Sequence, residues 1–517
     1  MYRGSPCDLH LGLRNRGHVM NTGDAIRSCS LRACLLAVLA SVAAGEATAQ
    51  TWTGAGGNNL WITGANWSGS STPTTGAEIV FDGSSSAQLS NVMGGPFTVK
   101  SLTFTTGQTQ SVTITTGTEQ PLSFNTSGTI VNVQSGSHTF TGTNSGGTGT
   151  PQCWFFSTTG TGNNYTYKVD AGAAFTIAGR MGVGGNGTGF FKTGAGLLNL
   201  AADNAGTGGW NFNNRATEGF VVQEGVVRWS HQNAKGLTSN VWTVKSGAAI
   251  EILGGMASIN NGSGVINLSG SGVGGTGALR ALGTGTFSSF TTAEVNLVTD
   301  AAIAVDSGRL LLPYPLKTPS GTSGFIKLGS GTLQLNSTGT STFNGGTRLA
   351  AGTLIVNNGT AANQVLGTGG LDVLGGTLEI GQTTATASTL PLAAGANVSM
   401  SSGAMNFLVG TTFDKITAGG TSGFSLTGGT IGLTLTGSFD PLATYPILQG
   451  FAAGSVSGLT FSGTFWDPAQ YAPSLSSAGV LSFAAVPEPS SMAVLGMAVV
   501  TAGYFGAGRR ARQGRPA

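Results

Sequence analysis

Chemistry in this chain would have few side chains to work with. Only 8% of its 517 residues are charged, and there are four histidines in all. Between residues 50 and 485 these are His138 and His231. Neither sits at a metal-ligand spacing from other His, Cys or carboxylate residues, so no metal and no cofactor is expected. The carboxylates best placed for acid–base attack on a polysaccharide are Asp300 with Asp306 and Glu218 with Glu224, each pair six residues apart. An even separation on one strand would put both groups on the same side, as two-carboxylate chemistry requires. Neither pair lies in a clean alternating strand, which favours solvated turn charges. A Ser-His-Asp triad assembles in space, and serine is too abundant for sequence to single one out. Trp52, Trp61 and Trp67 could stack on sugar rings; the alternative is an aromatic plug in the first coil of a stacked fold. Gly182-Val183-Gly184-Gly185-Asn186-Gly187 has the look of a phosphate loop. No helix signal follows it and no Gly-Lys-Ser/Thr completes it, so turns explain it better.

The net charge of +3 belongs to the two ends, because residues 50–485 carry 14 basic against 16 acidic residues and so stand at −2. A slightly acidic middle without basic runs lacks the electrostatic footprint of a nucleic-acid binder. At the N-terminus, Arg27 and Arg32 accompany an apolar run to Ala44, and Ala47-Thr48-Ala49 supplies the small residues of a cleavage site. Together these predict a secretory signal peptide over residues 1–49, cut after Ala49, with Met20 as a possible true start. A short core helix is the alternative. Cys7, Cys29 and Cys34 would leave with that segment, so Cys153 would remain alone, without an intramolecular disulfide and best read as a core thiol.

The C-terminus has three parts: Val486-Pro487-Glu488-Pro489, an apolar stretch over residues 492–507, and Arg509, Arg510 and Arg512. Sixteen residues of helix span ~24 Å, short of the ~30 Å hydrocarbon core, so a marginal transmembrane helix is expected. The arginines would hold its end on the cytoplasmic side. The two prolines keep the motif extended and accessible to a processing enzyme.

Between the ends, short strands alternate apolar and hydroxyl side chains, as in Val99-Lys100-Ser101-Leu102-Thr103-Phe104-Thr105. Glycine, 87 residues in all, punctuates them. A period of two with Gly-rich breaks predicts an all-β array, and no convincing helical period interrupts it. Leu310 to Pro315, with two prolines, suits a loop or an edge. The array also repeats itself. Gly189 to Leu200 (GFFKTGAGLLNL) matches Gly324 to Leu335 (GFIKLGSGTLQL) position by position, and Gly345 to Val356 has counterparts at Val222–Val227 and Val373–Ile380. The common unit is a Lys-x-Gly-x-Gly-x-Leu-x-Leu segment, a turn and a second Gly-x-Leu-x-Val strand. Such a unit cannot bury its apolar face alone, so neighbours must stack.

These units resemble the autotransporter-associated β-strand repeat of passenger-type proteins, and the resemblance implies a right-handed parallel β-helix. At ~20–25 residues per coil, the middle would form roughly twenty coils. The expected organisation is a β-solenoid over 50–380 and a β-rich continuation or cap over 381–485, with the terminal signal at 486–517. That signal closely resembles the PEP-CTERM sorting signal of Gram-negative bacteria. The resemblance implies recognition by an exosortase, removal of the helix and delivery to the cell surface or extracellular matrix; a plain membrane anchor is the alternative. The combined expectation is an exported, non-enzymatic protein for adhesion or scaffolding, with exopolysaccharide as a partner. The competing expectation is a secreted polysaccharide lyase or hydrolase on the same scaffold.

Overall fold

The computed structural model describes residues 49–486, apart from 117–119, 143–154, 158–162, 182–188, 205–218, 237–239, 257–258, 260–263, 284–293, 320–321, 338, 358–363, 382–385, 438, 465–466 and 468. The described residues form strands, turns and two three-residue 3-10 turns, Gly64–Asn66 and Val273–Gly275. No helix among them is long and apolar enough to cross a membrane. The helix expected at 492–507 lies outside the described residues.

The strands stack as a parallel β-solenoid. Two ladders run through its first part, one face following the other around each coil. The first face carries Ala77–Phe81, Phe97–Phe104, Gly128–Val133, Asn164–Val169, Gly189–Thr193, Phe220–Val222 and Val241–Val244 in turn. Its neighbours pair in parallel, as Phe190 with Phe220 and Phe220 with Trp242. The second face carries Ser137–Gly142, Ala174–Ile177, Leu197–Leu200, Gly225–Trp229 and Ala248–Ile252, again in parallel register. Alternation does the folding. In Ala77–Phe81 the residues Ala77, Ile79 and Phe81 point into the core, while Glu78 and Val80 face outward. Aromatic rings then stack from coil to coil, with Phe81 on Phe104 at 5.2 Å and Phe220 on Trp242 at 4.4 Å.

The strand Glu294–Val305 changes this arrangement. It is 12 residues long and turns a corner at the exposed Val298, Thr299 and Asp300. Its first part pairs with Val265–Gly270 on the first face, and its last part with Leu279–Ala281 on the second. Beyond it the second face continues through Phe325–Leu328, Thr347–Leu349 and Leu371–Val373. A third face opens with Arg309–Leu312 and runs through Thr332–Leu335, Thr353–Val356 and Thr377–Ile380 to Thr460–Thr464. Arg309–Leu312 is an edge strand, as the prolines after it suggested. The ladders cross residues 381–388 without a break, because Leu371–Val373 pairs with Val398–Met400 and Thr377–Ile380 with Ala404–Val409.

From Ala77–Phe81 to Phe424–Leu426 the stack makes about 13 turns, fewer than the roughly twenty expected. The step between coils is 22 residues from Lys327 to Leu349 but 36 from Val131 to Tyr167. Corner loops absorb the difference. After Thr460–Thr464 the chain forms an antiparallel hairpin of Tyr471–Leu475 and Val480–Ala485, whose second strand also pairs with the earlier Tyr445–Pro446.

Trp52, Trp61 and Trp67 close the first coil. Each is at most 2% exposed, and Trp67 meets both partners edge-on at 5.0 and 5.2 Å. Their indole N–H groups donate inward, Trp61 to Asn91 Oδ1 at 2.8 Å and Trp67 to the Trp61 carbonyl at 2.8 Å. The sugar platform is therefore overturned: no indole face is open to a ring from solution.

Candidate functional site

The repeat motif's lysine is the residue whose role sequence reasoning missed. Lys192 follows Phe190 by two positions and Lys327 follows Phe325 by two, so both point inward with the aromatic ring. Both are fully buried. An ammonium in such a place needs acceptors, because burying a charge unpaired costs several kcal/mol or more. The Lys192 Nζ donates to the carbonyls of Thr193 at 3.0 Å, Gly194 at 2.6 Å and Glu224 at 3.1 Å. Lys327 repeats the pattern on Leu328 at 2.8 Å, Gly329 at 2.9 Å and Ala351 at 3.0 Å. Two acceptors belong to the lysine's own turn and the third to the next coil. Three donors meet three acceptors, so each lysine clasps one coil to the next. Burial pushes both lysines down to about 8, which leaves the ammonium as the main form at neutral pH.

The glycines of the motif let the turn that carries the clasp pack on the coil before it. Gly194 and Gly329 adopt φ of 73° and 75°, and a Cβ there would approach the carbonyl oxygens of Val169 and Val305 to 2.4 and 2.3 Å. Lys235 lacks such a clasp. It is 1% exposed, its Nζ has no hydrogen-bond partner among the described residues, and burial pushes it down to about 7.

The carboxylates expected as catalytic candidates are held in separate bonds. Asp300 Oδ1 accepts from the Gly324 amide at 2.6 Å, and Asp306 Oδ2 accepts from Arg280 Nη2 at 2.6 Å. Asp300 borders a shallow, open depression of about 400 Å³ with Val298, Thr299, Thr322 and Ser323. Glu224 Oε2 accepts from the Gly194 amide at 3.0 Å, within the lysine clasp, while Glu218 lies outside the described residues. No cluster of three or more His, Cys, Asp or Glu able to hold a metal occurs among the described residues. His138 is buried against Phe104 at 4.0 Å. Its Nδ1 accepts from the Val112 amide at 3.1 Å and its Nε2 lies 2.8 Å from the Ser135 carbonyl, which fits a neutral ring protonated on Nε2. Burial lowers its pKa accordingly. His231 Nδ1 accepts from the Asn233 amide at 3.1 Å. Cys153 and the Gly182–Gly187 run lie outside the described residues.

What the solenoid offers to solution is rows of side chains, spaced ~4.8 Å from strand to strand. On the second face one row reads Ser90, Thr113, Thr139, Thr176 and Asn199 by strand register. The same row then becomes ionic. Arg228, Glu251 and Arg280 lie opposite one another, with Glu251 accepting from Arg228 Nη2 at 2.7 Å and from Arg280 Nη1 at 3.3 Å. On the third face Thr332, Thr353, Thr377, Ala404, Thr430 and Thr460 align, each at least partly exposed. Thr332, Thr353 and Thr377 each stand in a Gly-Thr-Leu step.

The expected processing signals flank this body. Ala49 opens the first strand, Ala49–Thr51, and Ala47 lies outside the described residues. Val486 is the last described residue, its amide bonded to the Gln470 carbonyl at 2.8 Å. Pro487, Glu488, Pro489, Arg509, Arg510 and Arg512 lie outside the described residues.

The family model described as passenger-associated-transport-repeat matches residues 190–227 and 325–356. Both lysine clasps fall inside those matches. The chain thus carries passenger-type repeats, stacked as a parallel β-solenoid, and this fits an exported, passenger-like protein. No curated protein matches the chain, and no solved structure does.

Proposed function

We propose that this protein is an exported, non-enzymatic component of the cell surface or extracellular matrix that acts in adhesion or scaffolding. The observation that carries the reading is the threonine row of the third face, which begins within the passenger-type repeat at Thr332 and Thr353 and recurs at strand spacing. A hydroxyl row of this kind makes many weak, neutral hydrogen bonds, which suits exopolysaccharide better than nucleic acid. The tripartite tail supports sorting by an exosortase: the last strand, Val480–Ala485, is followed directly in sequence by Val486-Pro487-Glu488-Pro489. Before processing, residues 492–507 would hold the protein at the membrane.

The test is retention of the exported protein on its host's matrix polysaccharide. Replacing Thr332, Thr353, Thr377 and Thr430 together by valine, which keeps strand propensity, should reduce retention at least several-fold without changing the thermal midpoint. Unchanged retention would remove the adhesion role from this row. Mass spectrometry of the mature C-terminus checks the sorting half, since a chain still carrying residues 492–517 would count against processing.

A further inference from the structure

The two ends of the solenoid are finished differently. At the N-terminal end both strand edges are sealed. Ser68 covers Ala49–Thr51, donating its amide to the Thr51 carbonyl at 2.9 Å and accepting from the Thr51 amide on its Oγ at 3.0 Å. Asn59 to Trp61 covers Ser90–Val92 through bonds of 2.7 and 2.8 Å to Val92. At the C-terminal end the turn of the antiparallel hairpin covers part of the stack, with Leu448 donating to Gly479 at 3.1 Å and Gly454 to Ser477 at 2.7 Å. The third face is different. Its last strand, Thr460–Thr464, pairs with Thr430–Leu435 on one side, and no strand among the described residues pairs with its other side.

We propose that this edge is a dimerisation surface, on which Thr460–Thr464 of two copies pair antiparallel about a two-fold axis. The Thr460 amide bonds back to Gly429 at 2.9 Å, so by alternation along the strand Phe461 and Gly463 turn their N–H and C=O groups toward the open side. An open edge is a template for another strand, and proteins that keep such edges solitary guard them with charge, proline or a bulge. Here no residue from 441 to 466 is charged, and Ser462 and Gly463 are exposed. A second copy is the occupant that the ends select. Head-to-tail stacking would need an open edge at the N-terminal end, and both edges there are sealed. A two-fold contact uses the same edge twice and closes after two copies. The chain's own tail is a poor occupant, because Pro487 and Pro489 lack the N–H groups that would extend the ladder.

Light scattering on the exported protein, purified from its host over a range of concentrations, reads the assembly state. A dimer mass is expected. Gly463→Pro removes an N–H that the solenoid itself does not use, and Ser462→Lys brings two cations together across the axis. Each variant should weaken dimerisation about tenfold or more, ~1.4 kcal/mol, with an unchanged thermal midpoint. Should one variant lower that midpoint, the other decides. A monomer without substitution, a dimer that survives both variants, or open-ended filaments would each overturn the proposal.

Discussion

The two stretches that match the repeat family, 190–227 and 325–356, share the Lys-x-Gly-x-Gly-x-Leu-x-Leu pattern and do the same local work on different faces. In each, a lysine two residues after a buried phenylalanine clasps its own turn to the next coil through three carbonyls. In the first the clasp joins strands on the first and second faces. In the second it joins strands on the second and third, because Glu294–Val305 rounds the corner and moves the pattern on by one face. The motif is therefore a corner device, indifferent to which corner it occupies. Its surroundings differ more. The third residue of the clasp is Glu224 in one case, whose carboxylate also holds the Gly194 amide, and Ala351 in the other.

Substituting the lysines tests that equivalence most severely. Lys192→Met and Lys327→Met each take the donor from three part-buried carbonyls, at about 1 kcal/mol apiece, so each should lose about 3 kcal/mol in denaturant unfolding. Equal losses support one device at two corners. A loss at only one would show that the local partners, not the motif, set the energy.

The glycines should come next. Gly194→Ala and Gly329→Ala place a Cβ at positive φ and against a carbonyl, for about 1–3 kcal/mol each. Similar drops in thermal midpoint are expected from the two, since the clashing distances, 2.4 and 2.3 Å, are nearly the same.

The smallest effect has the opposite sign. Lys235 is as buried as the clasp lysines but has no acceptor among the described residues, so Lys235→Met should raise stability by about 1 kcal/mol at pH 6. Because its pKa in the fold is pushed down to about 7 while the unfolded value is 10.5, the unfolded chain holds more protons between those limits, and stability rises with pH across them. The clasp lysines contribute a rise of the same sign, but only from about pH 8 upward. Thermal midpoints recorded from pH 6 to 8 should rise less in Lys235→Met than in the parent chain. A parallel pair of curves would place the Lys235 ammonium in contact with an acceptor.

Much of this architecture is legible in the chain. The alternation in Ala77–Phe81 and the repeated Leu-x-Leu dictate two-sided strands, and the matched units require stacking. The lysine was legible in principle: Lys192 and Lys327 share the inward phase of Phe190 and Phe325, a place where a charge must find buried acceptors. The ion row Arg228–Glu251–Arg280 was not legible, because residues 23 and 29 apart meet only once the coil lengths are fixed. The same holds for Asp414, whose two oxygens accept from the Ser388 and Leu408 amides at 2.7 Å each.

Sequence by itself determined the all-β class, the stacking unit and the inward or outward fate of residues in the alternating strands, since a period of two leaves no other choice once one face is buried. Only the tertiary structure decided the number of turns, the face on which each repeat lies, and the meeting of the threonines and ion pairs in rows. Those depend on loop lengths at the corners, and a loop's length shifts every later strand without altering the pattern of any one of them.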